Sequence, residues 1–340
     1  MNTYSLTSAV TSHDVAKRAG VSQATVSRVL AGNTRVGKDA CDRVLAAVRE
    51  MNYRPNGAAR AMRTSHTGNI GVVVSRLGNP LYPEMLQILG RQLIRAGLRM
   101  VVWCTEEMDE KAAVDAIRES QLDGAIMTTA TEESTGLYEA LQVNVPVVLI
   151  NRVVEGWKCD QVTSDNADGG RAVAEYFLHA GKRRIGLIGG SDVASTIRDR
   201  QAGFCAALAN ANMPLAETLV RKVDTFTHKS GFEAATRLLE LSQPPDAIFC
   251  VNDVIALGAR DAARAREIDV PESLWIVGYD DIEMASWYAY DLTTIRQPLA
   301  NMTEAAVGLL MNRIRGQGGK WNTICLPNEL VIRSSTGHYG

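Results

Sequence analysis

Beyond residue 68 the chain alternates between short apolar runs and stretches of helical periodicity, and this alternation restricts the fold more than any other feature. The runs fall at 70–74 (IGVVV), 100–103 (MVVW), 124–127 (GAIM), 147–150 (VVLI), 184–188 (RIGLI), 247–251 (AIFCV) and 274–277 (LWIV). Helical stretches at 82–97, 107–120, 169–180 and 231–241 lie among them. Apolar strands joined through helices predict parallel sheets covered on both faces, an α/β class. Runs of this kind over roughly 270 residues exceed one doubly wound domain and fit two.

In such sheets a ligand sits beyond the carboxyl ends of the strands. Here those positions are small and polar. Asn79, Pro80, Leu81 and Tyr82 follow the first run, Thr128 and Thr129 the third, and Asn151 and Arg152 the fourth. Asp165 and Asn166 precede a helix, Thr196 and Arg200 follow Gly189-Gly190, Asn252 and Asp253 follow the sixth run, and Asp280 and Asp281 the seventh. Carboxylates, amides and an arginine with aromatic walls suit a small polar solute. Capping of turns is the alternative use for Asp and Asn at such places, and it is the reading given to Asp253 and Asp281.

The first 67 residues differ in charge from the rest. They hold ten Lys/Arg and four Asp/Glu, a net of +6, whereas the remainder carries −8. A basic head on an acidic body points to a polyanion partner for the head. Thr11-Ser-His-Asp14 reads as a capping box, Gly20 as a left-handed helix end, and Ser22 as the next cap. The second helix, 23–30, buries Val26, Val29 and Leu30 and leaves Gln23, Ala24, Ser27 and Arg28 outward. A third, 39–51, is expected to bury Val44, Leu45 and Val48. Three short helices with a tight turn between the first two describe a helix-turn-helix bundle. Gln pairs bidentately with adenine and Arg with guanine, and a small Ala admits a thymine methyl.

The run HDVAKRAGVSQATVSRVLAGN at 13–33, continued by RVLAAV at 43–48 and NYRPN at 52–56, resembles the DNA-binding region of the lac-repressor (LacI/GalR) family. The resemblance extends from about residue 11 to residue 335. It implies a helix-turn-helix DNA-binding domain at 1–55, a hinge helix and linker at 56–68, and a two-lobed, periplasmic-binding-protein-like core at 69–340 for effector binding and dimerisation. One lobe would take about 69–165 and 297–325, the other about 166–296 and 326–336. By position it assigns base reading to Gln23, Ala24 and Arg28 and phosphate contacts to Thr25 and Ser27, with Asn33 completing the DNA-facing set. For the effector it implies Leu81 and Tyr82 as pocket wall, Thr128 as a side contact and Asp165 as an acid. Thr196 and Arg200 would form a polar clamp, Phe226 an aromatic platform, and Asn252, Asp280 and Gln297 further hydrogen-bonding partners.

The implied partners are pseudo-palindromic double-stranded operator DNA, a second copy of the chain, and a small effector. A sugar or sugar acid suits the cleft, with a purine base or nucleoside as the other class considered. The last residues carry no leucine heptads, so a dimer rather than a tetramer is expected. The chain has no G-x-S-x-G, Walker loop, H-E-x-x-H or G-x-G-x-x-G after a strand, so no catalytic residue is assigned. Six scattered cysteines and five histidines lack metal-ligand spacing, and neither metal nor cofactor is expected. No apolar run approaches the ~18 residues of a membrane span, and no export signal opens the chain, so a cytoplasmic location is expected. An export signal and the lack of a basic head would instead describe a transport solute-binding protein. Product formation from candidate sugars would describe an enzyme.

Pro55 blocks extension of the third helix, and 57–63 (GAARAMR) is a candidate hinge helix. It is too short to persist alone in water. In the family this segment inserts an apolar wedge into the minor groove, a position Met62 occupies here. Met loses more rotamer freedom on insertion than Leu. Met62→Leu should therefore tighten operator binding in an anisotropy titration; equal or weaker affinity would remove Met62 from the wedge.

Overall fold

The computed structural model describes residues 10–30, 32, 35–54, 66–74, 77–105, 122–131, 133–134 and 145–337. Asn33, Gly57, Met62 and the helical stretch expected at 107–120 lie outside the described residues. The chain divides into two units, Met1–Thr67 and Gly68–Gly340.

The smaller unit has three helices, α1 (Ser12–Ala19), α2 (Gln23–Leu30) and α3 (Lys38–Glu50). Its first helix starts at a reciprocal cap. The Asp14 N–H donates to Thr11 Oγ1 (3.4 Å) and the Thr11 N–H donates to Asp14 Oδ2 (2.9 Å). Gly20 ends it at φ 66°, ψ 38°, a left-handed geometry that glycine adopts without a Cβ clash. Ser22 Oγ then accepts from the Thr25 N–H (3.2 Å) and opens α2. Val15, Ala16, Ala19, Val26, Val29, Val44 and Ala47 form the core, with Leu30 and Val48 partly buried against it. Leu45 departs from expectation: it is 41% exposed, and Ala47 is buried instead. The buried face of α3 runs Val44, Ala47, Val48 and Met51, and Leu45 lies about 100° of helical rotation from Val44.

The larger unit holds two six-stranded sheets. The first orders as β2 (Arg99–Cys104), β1 (Asn69–Val74), β3 (Gly124–Met127), β4 (Val147–Ile150), β5 (Asp160–Ser164) and β11 (Thr323–Leu326), parallel throughout. The second orders as β7 (Val220–Val223), β6 (Ile185–Gly190), β8 (Ala247–Cys250), β9 (Trp275–Asp280), β10 (Thr293–Arg296) and β12 (Glu329–Val331). It is parallel except for the β10–β12 pair. Around them pack α4 (Leu81–Arg95), α5 (Asn166–His179), α6 (Ser195–Asn210), α7 (His228–Leu239), α8 (Asp253–Arg264) and α9 (Leu299–Ile314).

The chain passes between the sheets three times, after β5, between β10 and α9, and between β11 and β12. The sheet interiors match the apolar runs, since each of β3, β4, β6, β8 and β9 is buried along its length. Strands β5, β7, β10, β11 and β12 were not among the runs. Their sequences, DQVTS, VRKV, TTIR, TICL and ELV, are polar or short. β5 is nonetheless fully buried, because its polar groups have partners: Gln161 accepts from the Val154 N–H (2.7 Å) and donates to the Val154 carbonyl (3.1 Å).

β1 has β2 on one side and β3 on the other, and β6 likewise lies between β7 and β8. The two sheets thus reverse strand order at the carboxyl ends of β1 and β6, where crossing connections leave a crevice.

A buried ion pair ties β5 to the returning helix α9. Asp160 accepts from Arg313 Nε (2.6 Å) and NH2 (3.0 Å) and from the Asn322 N–H (2.8 Å). Burial alone would raise the Asp160 pKa, but the donors from Arg313 and Asn322 outweigh it and hold it below the ordinary carboxylate range. A depressed folded pKa means stability that is complete above the unfolded value and lost as pH falls through the folded one. Asp160→Asn should cost about 3–5 kcal/mol at pH 7, the usual loss when one member of a buried pair is removed. In urea denaturation the variant should also lack part of the wild type's loss of stability below about pH 4.

Candidate functional site

Two surfaces concentrate polar side chains without a role in packing. On the smaller unit, α2 turns Val26 and Val29 inward and leaves Gln23, Ala24 and Arg28 exposed, with Thr25 and Ser27 half-buried. Thr25 Oγ1 shares a 2.9 Å hydrogen bond with the capping Ser22 Oγ. Gln23 Nε2 donates to Ser12 Oγ (2.8 Å), which ties the start of α2 to the start of α1. A bidentate contact to adenine needs both ends of the amide. With one Nε2–H held by Ser12, Gln23 keeps Oε1 and its second Nε2–H for a base.

On the larger unit, a cleft of about 650 Å³ opens at the two strand-order reversals. Gly78–Tyr82 beyond β1 and Thr196–Arg200 beyond β6 face one another across it, together with Asn151 and Arg152 after β4, Phe226, Asn252 and Asp280. Leu81, Tyr82, Thr196, Arg200, Phe226, Asn252 and Asp280 were all singled out from the sequence, and the fold brings them to one cavity. Phe226 has room because residue 190 is glycine, where a Cβ would fall 2.5 Å from the ring.

Arg200 and Asp280 form the hub of this wall. They meet at 3.0 Å, and both side chains are almost wholly buried. Arg200 also donates to Asn166 Oδ1 (2.9 Å) and the Val251 carbonyl (2.7 Å), and its guanidinium lies 3.6 Å from the centre of the Tyr279 ring. Asp280 accepts from Gln297 Nε2 (2.8 Å), and Gln297 Oε1 accepts from Ser164 Oγ (2.8 Å), which joins the second lobe to β5 of the first. Burial pushes the Asp280 carboxyl above the ordinary range even though Arg200 draws it down. Its backbone sits at φ 116°, a conformation costly for a residue with a Cβ and held here by its side-chain bonds.

Three of the residues assigned by position lie away from the cavity. Thr128 is buried and donates to the Val73 carbonyl (3.2 Å), so its hydroxyl is spent between strands. Asp165 caps α5 by accepting from the Asp168 N–H (2.9 Å). Gln297 stands behind Asp280 and positions it. Asp253 and Asp281 lie outside the lining, but they tie distant segments together rather than cap turns: Asp253 accepts from Thr294 Oγ1 (2.6 Å) and the Ile282 N–H (2.9 Å), and Asp281 binds Arg296 and Arg333 at 2.6 Å each. The wall is thus less acidic than the sequence suggested, because among the described residues Asp280 is the one carboxylate that lines it.

Further lining comes from Thr105, Ile197, Thr225, Thr227, His228, Val254 and Met284. Thr227 and His228 open α7, a position the sequence marks only by a Thr three residues before a Ser; the Ser230 N–H donates to Thr227 Oγ1 at 3.1 Å. Among the described residues no group of three or more His, Cys, Asp or Glu is placed to hold a metal, and no helix is long and apolar enough to cross a membrane.

With every Arg200 nitrogen already engaged, its substitution should be felt by the fold itself. Arg200→Met should destabilise the ligand-free protein by about 3–5 kcal/mol in urea denaturation, since Asp280 would be left buried and unpaired. A loss below about 1 kcal/mol would show that Asp280 does not depend on this pair.

Residues 11–56 match the family model for bacterial regulatory proteins of the lacI family, and residues 174–336 match the periplasmic binding protein-like domain. The HTH-type transcriptional repressor PurR of Haemophilus influenzae (strain PittEE) is 32% identical over 329 residues, covering 95% of this chain and 97% of that protein. PurR of Mannheimia succiniciproducens is 30% identical over 326 residues, with the same two coverages. Among solved structures, the lac repressor dimer bound to operator and the anti-inducer ONPF aligns with a TM-score of 0.87 at 29% identity, covering 96% of this chain and 99% of that one. The regulator CelR in complex with cellobiose aligns at 0.74 with the same identity and coverage. A helix-turn-helix unit joined to a bilobal α/β core, with relatives of this extent, makes the chain a member of the lacI family of bacterial regulatory proteins.

Proposed function

We propose that the protein is a sequence-specific transcriptional repressor that grips operator DNA through α2 and is governed by a small polar effector in the cleft. The observation that carries this reading is the outward face of α2: Gln23, Ala24 and Arg28 stand exposed beside a fully packed helical core. No packing role explains Ala24 and Arg28 on the outer face of a helix sized for a major groove, and Gln23 stands exposed at its start. Thr25 and Ser27 then serve the phosphates, with Asn33 and Met62 completing the contact through the turn and the hinge. A two-fold homodimer presents two such helices to a pseudo-palindromic site in the cytoplasm.

The effector binds among Leu81, Tyr82, Thr196, Arg200, Phe226, Asn252 and Asp280, with Gln297 positioning Asp280 from behind. Both lobes supply walls to this cleft, so a ligand that touches both favours one relative setting of the lobes. A difference in its affinity for the two settings, typically ~1–3 kcal/mol of coupling, reaches the DNA. A sugar or sugar acid suits the mixture of amides, hydroxyls and aromatic rings. The cellobiose complex of CelR and the operator complex of the lac repressor support the two halves of this reading.

The test is anisotropy of labelled duplexes from the protein's own promoter region against scrambled duplex over a series of salt concentrations. Promoter preference with a steep fall in affinity as salt rises is expected. No preference over scrambled duplex, with or without metabolites, would overturn the reading. Arg28→Ala should relax discrimination at one base pair per half-site by ~1–3 kcal/mol. Uniform weakening across all operator variants would make Arg28 a phosphate contact instead.

A further inference from the structure

Resting on the reading of the cleft as an effector site, we propose that Asn328 is a positioning residue for Arg200. It closes a ring of contacts that ties the cleft-facing guanidinium to all three passages between the lobes.

Each passage supplies one link to Arg200. From the first, after β5, Asn166 accepts from Arg200 Nε (2.9 Å) and donates to the Ser164 carbonyl (2.9 Å). From the second, between β10 and α9, Gln297 donates to Asp280 (2.8 Å), which pairs with Arg200 at 3.0 Å. The third link belongs to Asn328, between β11 and β12, and runs through an aromatic ring. Asn328 Nδ2 donates to the Tyr279 hydroxyl (2.8 Å), and the Arg200 guanidinium lies over the Tyr279 ring, 3.6 Å from its centre. Nδ2 also donates to the Asp165 carbonyl (2.6 Å) in the first passage. That carbonyl accepts the Gly169 N–H (2.9 Å) as α5 begins, and the Asp165 N–H donates to the Leu326 carbonyl (2.8 Å). The first and third passages are thus bonded side by side, and Asn328 joins both to the end of β9.

The arrangement has little slack. Tyr279 is wholly buried, and a Cβ at residue 169 would fall 2.3 Å from its hydroxyl, so the glycine lets the phenol seat against α5. A buried hydroxyl deprived of a partner is costly. Asn328 Oδ1, by contrast, is buried with no hydrogen-bond partner. An apolar side chain of similar size would avoid that cost, so what the amide adds is its two donations. Turning one lobe against the other bends all three passages, and these bonds hold only while the first passage, the third and the end of β9 keep their present spacing. The ring therefore favours one setting of the lobes and passes a change of setting to Arg200.

The experiment compares full-length wild type, Asn328→Leu and Tyr279→Phe, by hydrogen-exchange mass spectrometry without added metabolite and by anisotropy with promoter duplex. Asn328→Leu should speed exchange about two- to tenfold, the worth of one net hydrogen bond, at 164–169 and 279–281 as well as at 326–330. Acceleration confined to 326–330 would make Asn328 a local packing residue and overturn the proposal. Operator Kd should shift at least about threefold in Asn328→Leu, a change that lost core stability alone does not produce in a chain that stays folded. Tyr279→Phe should shift it in the same direction, with the double variant going no further than the larger single one. Unchanged operator affinity in the folded variants, where wild type prefers its promoter, would also overturn the proposal. If Asn328→Leu does not fold, Tyr279→Phe, which keeps the ring over Arg200, decides by the same two measurements. Absence of promoter preference in wild type sinks the regulatory reading, and the exchange pattern then decides this inference by itself.

Discussion

The Arg200–Asp280 pair is the interaction on which the cleft depends. Two nearly dry opposite charges at 3.0 Å are stable only if every other lone pair and proton around them is also satisfied. Here Asn166, the Val251 carbonyl and Gln297 meet that condition, and Tyr279 covers the guanidinium with its ring. These partners come from α5, the end of β8, the segment after β10 and β9 itself. The pair thus draws four separately folded segments to one point, and the unfavourable backbone angle at Asp280 is sustained by the same bonds.

The network also crosses from lobe to lobe. Ser164 at the end of β5 reaches Gln297, and Gln297 reaches Asp280. On the other rim, Val153 is held by Ser195. The first link lies at the chain passages after β5 and β10 and the second joins the lobes away from them, so a change in the setting of the lobes is felt by the residues that line the cavity. Glu84, in the first turn of α4, adds a repulsive contribution: burial, then Asp281, Glu283 and Asp280 of the other lobe, raise its pKa. Attraction through hydrogen bonds and repulsion between carboxylates therefore act across the same gap, an arrangement whose balance a bound solute can tip.

The sheet interiors were legible in the chain because β3, β4, β6, β8 and β9 lie between other strands and are buried along their length, which demands unbroken apolar runs. β5 was not legible. Asp160, Gln161, Thr163 and Ser164 look like a loop until Arg313, Asn322, Val154 and Gln297 are placed beside them from distant parts of the chain. The edge strands β7, β11 and β12 failed for a different reason, being three or four residues long with little to distinguish them from connections. Leu45 misled because helical periodicity marks a stripe, and the stripe's edge is set by which neighbour helix packs there.

The amino-acid order alone determined the helix-turn-helix unit, since Thr11, Asp14, Gly20 and Ser22 act through local geometry within a few residues. It also determined the doubly wound character of the core and the positions at strand ends where polar groups gather. What only the tertiary structure decided is which of those groups face the cavity and which are consumed. Arg200 and Arg152 are both arginines beyond a strand, and nothing in their immediate sequence separates them. Asn166, Val251, Asp280 and Tyr279 converge on the first and leave the second with unpartnered nitrogens, because hydrogen-bond satisfaction in a buried site depends on contacts between residues far apart in the chain.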